Sequence, residues 1–138
     1  MEQILKRIQD GELLIVSSRR RNGAILCKSY HTEFAGPGAA IGGLFDQDCQ
    51  SLIPVGKLAL TLPETPEDHH RACLIRRQWI LLTKQLTENP EPQERARMVL
   101  AQFENYFDFE SVDCLPDEVF AQLVGVFPST IHNSRHLG

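Results

Sequence analysis

The sequence predicts an α+β fold, a small and mostly antiparallel sheet over residues 12–62 packed by three helices that follow it. Three observations point there. Short runs of strand formers punctuated by turn residues fill the first half. Apolar residues at alternating spacings of three and four fill the second. At 138 residues and 15.6 kDa the chain is one domain's worth, with a mostly β half over 1–64 and a helical half over 65–138.

Ile4, Leu5 and Ile8 lie on one side of a short N-terminal helix that Gly11 ends. Residues 12–18 and 24–30 are rich in strand formers, and Asn22-Gly23 lies between them. Asn-Gly tolerates the two positive φ angles of a type I′ turn, so a β-hairpin is expected near 12–34, with Arg19, Arg20 and Arg21 at its tip. Residues 35–43, Ala-Gly-Pro-Gly-Ala-Ala-Ile-Gly-Gly, read as a mobile loop joining two strands. Leu52-Ile53 and residues 57–62 offer further strands, broken by Pro54 and Gly56.

Thr65, Pro66, Glu67 and Asp68 combine an N-cap, proline at the first helical position and acids in the first turn, where backbone N–H groups lack partners. The stripe Ala72, Ile75, Trp79, Leu82, Leu86 carries that helix to about Leu86. Asn89-Pro90-Glu91-Pro92 stops it and opens a second, striped by Ala96, Val99, Leu100, Phe103 and Phe107. Pro116 opens a third, with Val119, Phe120, Leu123 and Val124 on its apolar side and Gly125 closing it.

Composition narrows the function classes. Hydrophobic residues at 42% and charged residues at 23% exclude a disordered or collagen-like chain. Fourteen Lys+Arg against eighteen Asp+Glu give a net charge of −4, and residues 101–138 hold only Arg135 against six carboxylates. Such a terminus repels a phosphate backbone, so nucleic acid is not the expected partner. No apolar run approaches the length of a signal or membrane segment, and a cytoplasmic location without membrane insertion is expected. Cys27, Cys49, Cys73 and Cys114 are too widely spaced for a CxxC site and read as small buried apolar groups in a reducing compartment.

Several local patterns bear on chemistry. Ala121, Gly125, Val126 and Ile131 resemble the helix-turn-helix pattern of bacterial repressors, which makes a DNA-binding regulator the alternative function. Phe127 and Ser134 depart from that pattern, and a structural helical turn is the simpler reading. The glycines of residues 36–43 lack the Lys-Ser/Thr ending of a phosphate loop and the spacing of a dinucleotide site. His69 and Cys73, at i and i+4, are at most half of a zinc site that Cys27, His31 or Cys49 would complete, and the spacing does not require one. No metal, cofactor or catalytic residue is assigned, and no enzyme activity is expected.

The remaining features are two basic clusters, Arg19-Arg20-Arg21 and Arg76-Arg77 beside Trp79. Arg and Trp are the residue types most enriched in interface hot spots. Arg19, Arg20, Arg21, Arg76, Arg77 and Trp79 are therefore the candidate protein-interface residues, although the place of Trp79 in the apolar stripe favours the core for it.

Over its whole length, through residues 75–82 (Ile-Arg-Arg-Gln-Trp-Ile-Leu-Leu), 95–103 (Arg-Ala-Arg-Met-Val-Leu-Ala-Gln-Phe) and 115–120 (Leu-Pro-Asp-Glu-Val-Phe), the chain resembles the cyanobacterial EbsA family of biofilm self-suppression proteins. The resemblance implies a non-catalytic cytoplasmic adaptor. Its implied partners are the type IV pilus assembly ATPase and the Hfq homologue, with roles in pilus assembly and in holding back biofilm formation. It supplies no site residues.

Overall fold

The computed structural model describes residues 2–137, the side chain of residue 137 excepted. Its elements run α1 (Glu2–Gln9), β1 (Leu13–Val16), β2 (Gly23–Cys27), β3 (Thr32–Ala35), β4 (Ala40–Gly42), β5 (Ser51–Val55), β6 (Leu60–Thr61), α2 (Pro66–Thr87), α3 (Pro92–Tyr106), α4 (Phe109–Asp113), α5 (Asp117–Val124) and α6 (Pro128–Leu137). The class is α+β as expected, but the strands form two antiparallel sheets of three, ordered β4-β1-β6 and β3-β2-β5.

That split corrects the expected pairing of residues 12–18 with 24–30. β1 pairs with β4 and β6, while β2 pairs with β3 and β5, so the two segments flanking Asn22-Gly23 lie in different sheets. Among the described residues no non-glycine has positive φ, and neither has Gly23, so the type I′ turn is absent. The reason is burial on both sides of β2. Ile25 packs with the helices while Ala24 and Leu26 pack among the strands, a sandwiched position that calls for partners on both edges.

Residues 35–43 are likewise no mobile loop. They hold β4, and Ala39, Ala40 and Ile41 are buried. Their small size is what the packing needs: a Cβ on Gly36 would collide with the Trp79 indole, and one on Gly42 (φ +93°) with the Glu12 carbonyl oxygen. Pro54 does not break β5 either, because β5 is an edge strand, where a missing N–H is tolerated.

Five helices, not three, follow the sheets. α2, α3 and α5 begin and end close to the expected positions, and the Asp68 N–H donates to Thr65 Oγ1 at 3.1 Å as the N-cap reading requires. α4 is five residues long, too short to show a stripe, and in α6 Ile131 is the one fully buried apolar side chain among those described.

The core has two parts. One gathers Ile8, Leu14, Val16, Leu26, Ile41 and Leu52 between the strands and α1. The other gathers Ile25, Phe34 and Val55 under α3, α5 and α6. Trp79 of α2 packs against both. No helix among the described residues is long and apolar enough to cross a membrane.

Candidate functional site

The ten arginines sort into two groups by what they touch. Arg7 pairs with Glu12, Arg97 with Glu94 and Arg135 with Asp117, while Arg95 donates to the carbonyls of Asn89, Val124 and Gly125. Arg76 is the most deeply engaged. It was expected at an interface, yet it is 1% exposed, and its guanidinium meets Asp46 at 2.8 and 3.0 Å, Glu33 at 2.9 Å and the Ala40 carbonyl at 3.1 Å. Lys28 closes the cluster, with Nζ 3.2 Å from Glu33 and 3.3 Å from Asp46. This network, with the Gly42 N–H donating to Asp46, anchors α2 to β2, β3 and β4.

Charge balance inside the network decides its protonation. Burial pushes the Asp46 carboxyl up, but the hydrogen bonds and charge of Arg76, the Gly42 N–H and the charge of Lys28 outweigh it and hold the carboxyl below its usual value. Lys28 loses hydration as well, and Glu33 and Asp46 more than compensate, raising its affinity for a proton.

Trp79 is also structural. Its ring meets Phe34 edge-on at 5.4 Å and Tyr106 at 5.2 Å, and its Nε1 points to the Pro37 carbonyl at 3.4 Å. A sequence position inside an apolar stripe outweighs residue type here.

Arg19, Arg20, Arg21, Arg71 and Arg77 form the second group: their side chains are exposed and make no ion pair or hydrogen bond with the described residues. Arg77 lies on the outer side of α2. Arg19, Arg20 and Arg21 occupy the turn between β1 and β2, which buried Asn22 holds rigid. Asn22 Nδ2 donates to the carbonyls of Ser17 and Arg20, and its Oδ1 accepts from the Ala59 N–H, all at 3.0 Å.

Beside this turn lies a cleft of about 720 Å³ between β1, β6 and the first turns of α2. Ile15, Val16, Ala72 and Ile75 make its apolar lining, with Leu62 at the side of β6. Arg19 and Arg20 line it from the turn and Arg71 from α2, and Glu64 and Asp68 also line it without pairing to them. No aromatic side chain lines it. Arg71 escaped sequence reasoning because no second arginine adjoins it in the chain, and only the fold brings it beside residues fifty positions away.

The other motifs separate. His69 Nδ1 and Cys73 Sγ are 3.9 Å apart on one helix side, and no cluster of three metal-ligating side chains forms among the described residues. Cys49 is buried, and desolvation followed by the charge of Asp46 pushes its thiol up to about 11. Cys114, expected to be buried, is exposed. α5 and α6 are joined through left-handed Gly125 (φ 69°, ψ 45°), and Ala121 and Ile131 are buried. The single arginine of the two helices, Arg135, is held by Asp117 at 2.6 Å and the Val112 carbonyl at 3.0 Å and lies over the Phe120 ring.

No protein-family model, curated protein or solved structure matches this chain. The candidate site therefore rests on geometry.

Proposed function

We propose that this protein is a non-catalytic adaptor that works by contact with other proteins, through the arginine-flanked cleft between the β1–β2 turn and α2. One observation carries the reading. Half of the arginines are tied to partners inside the fold, and three of the other five, Arg19, Arg20 and Arg71, line one cleft, two of them on a turn that a buried Asn immobilises. Arginine held on a pre-ordered backbone loses little conformational freedom on binding, which favours affinity. The resemblance to the EbsA family extends the proposal to a role in type IV pilus assembly and biofilm suppression, with the pilus assembly ATPase and the Hfq homologue as partners.

The test is affinity capture from the native cell with wild-type protein and with the Arg19→Glu/Arg20→Glu/Arg71→Glu variant, both checked for equal thermal stability. Recovery of an assembly ATPase by the wild type alone supports the proposal. Equal recovery by both removes the cleft from it. The DNA-binding alternative predicts tight binding to genomic fragments with a steep salt dependence, which Arg135, already bound to Asp117, does not favour.

A further inference from the structure

Resting on that adaptor reading, we propose that the occupant of the cleft is an extended acidic segment of a partner polypeptide, its carboxylates on Arg19, Arg20 and Arg71 and an aliphatic side chain on the apolar lining. Charge and shape argue for it together. Among the described residues the three guanidiniums have no carboxylate partner, although each presents a fork that matches one, so an incoming Asp or Glu gains charge-assisted hydrogen bonds. Arg21, next to the cleft on the same turn, adds to the positive field.

The accessible apolar lining, half-buried Ile15 and Ile75 with exposed Leu62 at the side, is aliphatic, which suits a Leu, Ile or Val side chain. It does not suit RNA, since single-stranded nucleic acid gains most of its sequence-tolerant affinity by stacking bases on aromatic rings, and the cleft has none. Glu64 and Asp68 narrow the fit. They repel an acidic chain from their own part of the lining, which confines its carboxylates to positions that reach Arg19, Arg20 and Arg71. An extended segment is favoured because β6 is a two-residue edge strand paired with β1 on one side only, beside which an extended backbone can lie.

The experiment is selection of phage-displayed random peptides of about twelve residues on the full-length protein, followed by anisotropy with the selected peptides. Selected sequences are expected to be enriched in Asp and Glu next to an aliphatic residue. The Arg19→Ala/Arg20→Ala/Arg71→Ala variant should bind them about tenfold or more weakly. Leu62→Ser, a change at an exposed side chain of the cleft, should weaken them about threefold. Raising salt from about 50 to about 300 mM should weaken the wild type more than the triple variant.

The proposal is overturned if no acidic sequences are enriched, or if the triple variant binds them as the wild type does. A labelled oligouridine probe that binds the wild type more tightly than any selected peptide, and is lost in the triple variant, overturns both this proposal and the adaptor reading. Absence of acidic peptides together with arginine-dependent capture of a folded partner overturns this proposal and leaves the adaptor reading standing.

Discussion

Replacing Arg76 with Met tests the buried network directly. The guanidinium makes two bonds to Asp46, one to Glu33 and one to Ala40, and Asp46 is 0% exposed. Removing the cation leaves that carboxylate facing Lys28 and the Gly42 N–H alone. Breaking one side of a buried pair costs about 3–5 kcal/mol, against about 0–1 kcal/mol for an exposed one. At roughly 4 °C per kcal/mol for a chain of this size, Tm should fall by about 12–20 °C. Urea unfolding followed by the fluorescence of Trp79, the single tryptophan, reads the loss where the two cores meet. Arg76→Met combined with Asp46→Leu should lose clearly less than the two single changes added together, because neither charge is then left alone. A single-variant loss under about 1 kcal/mol, or strict additivity in the double variant, would refute the reasoning.

The same cluster sets an acid limit: since the Asp46 carboxyl is held below its unfolded value, its contribution is complete above about pH 4 and disappears as pH falls through the depressed folded value, a slope that Asp46→Asn should flatten in acid titrations followed by circular dichroism. Asn22→Ala removes three hydrogen bonds from a buried side chain, so stability should drop by about 1–3 kcal/mol and trypsin should cut at Arg19–Arg21 faster than in the wild type. Gly42→Ala should be among the most damaging single changes, at about 3 kcal/mol or more, whereas Gly125→Ala, with open space around its missing Cβ, should cost only about 1 kcal/mol of left-handed backbone strain; urea midpoints separate the two. Thiol titration with a disulfide reagent at neutral pH should modify exposed Cys114 first and Cys49 last, and modification of Cys49 on the timescale of Cys114 would contradict its burial.

The helical half was legible because its signals are local. Thr65 caps α2, Pro92 begins α3, and Gly125 ends α5 in the left-handed conformation, each through bonds that span a few residues. Apolar stripes then placed Val99, Phe103, Phe120 and Leu123 in the core without knowledge of what they face. α4 and α6 left no such trace: one is a single turn and the other leans on Ile131.

By itself, the sequence determined the class, the long helices and the acidic C-terminal segment, whereas residues 35–43 read as a mobile loop and only the structure makes them a buried run that holds β4. Only the tertiary structure decided which strands pair, because strand pairing depends on which apolar sides meet across the chain, and Asn22-Gly23 yielded its turn to the burial of β2 on both sides. It also decided the fate of each arginine. Arg76 and Arg77 are neighbours of the same chemistry, yet a rotation of about 100° along one helix aims the first at Asp46 and the second at solvent. Arg19, Arg20 and Arg71 acquire a common cleft only when α2 packs on β3 and β4, since electrostatic partnership is a property of distance in space rather than along the chain.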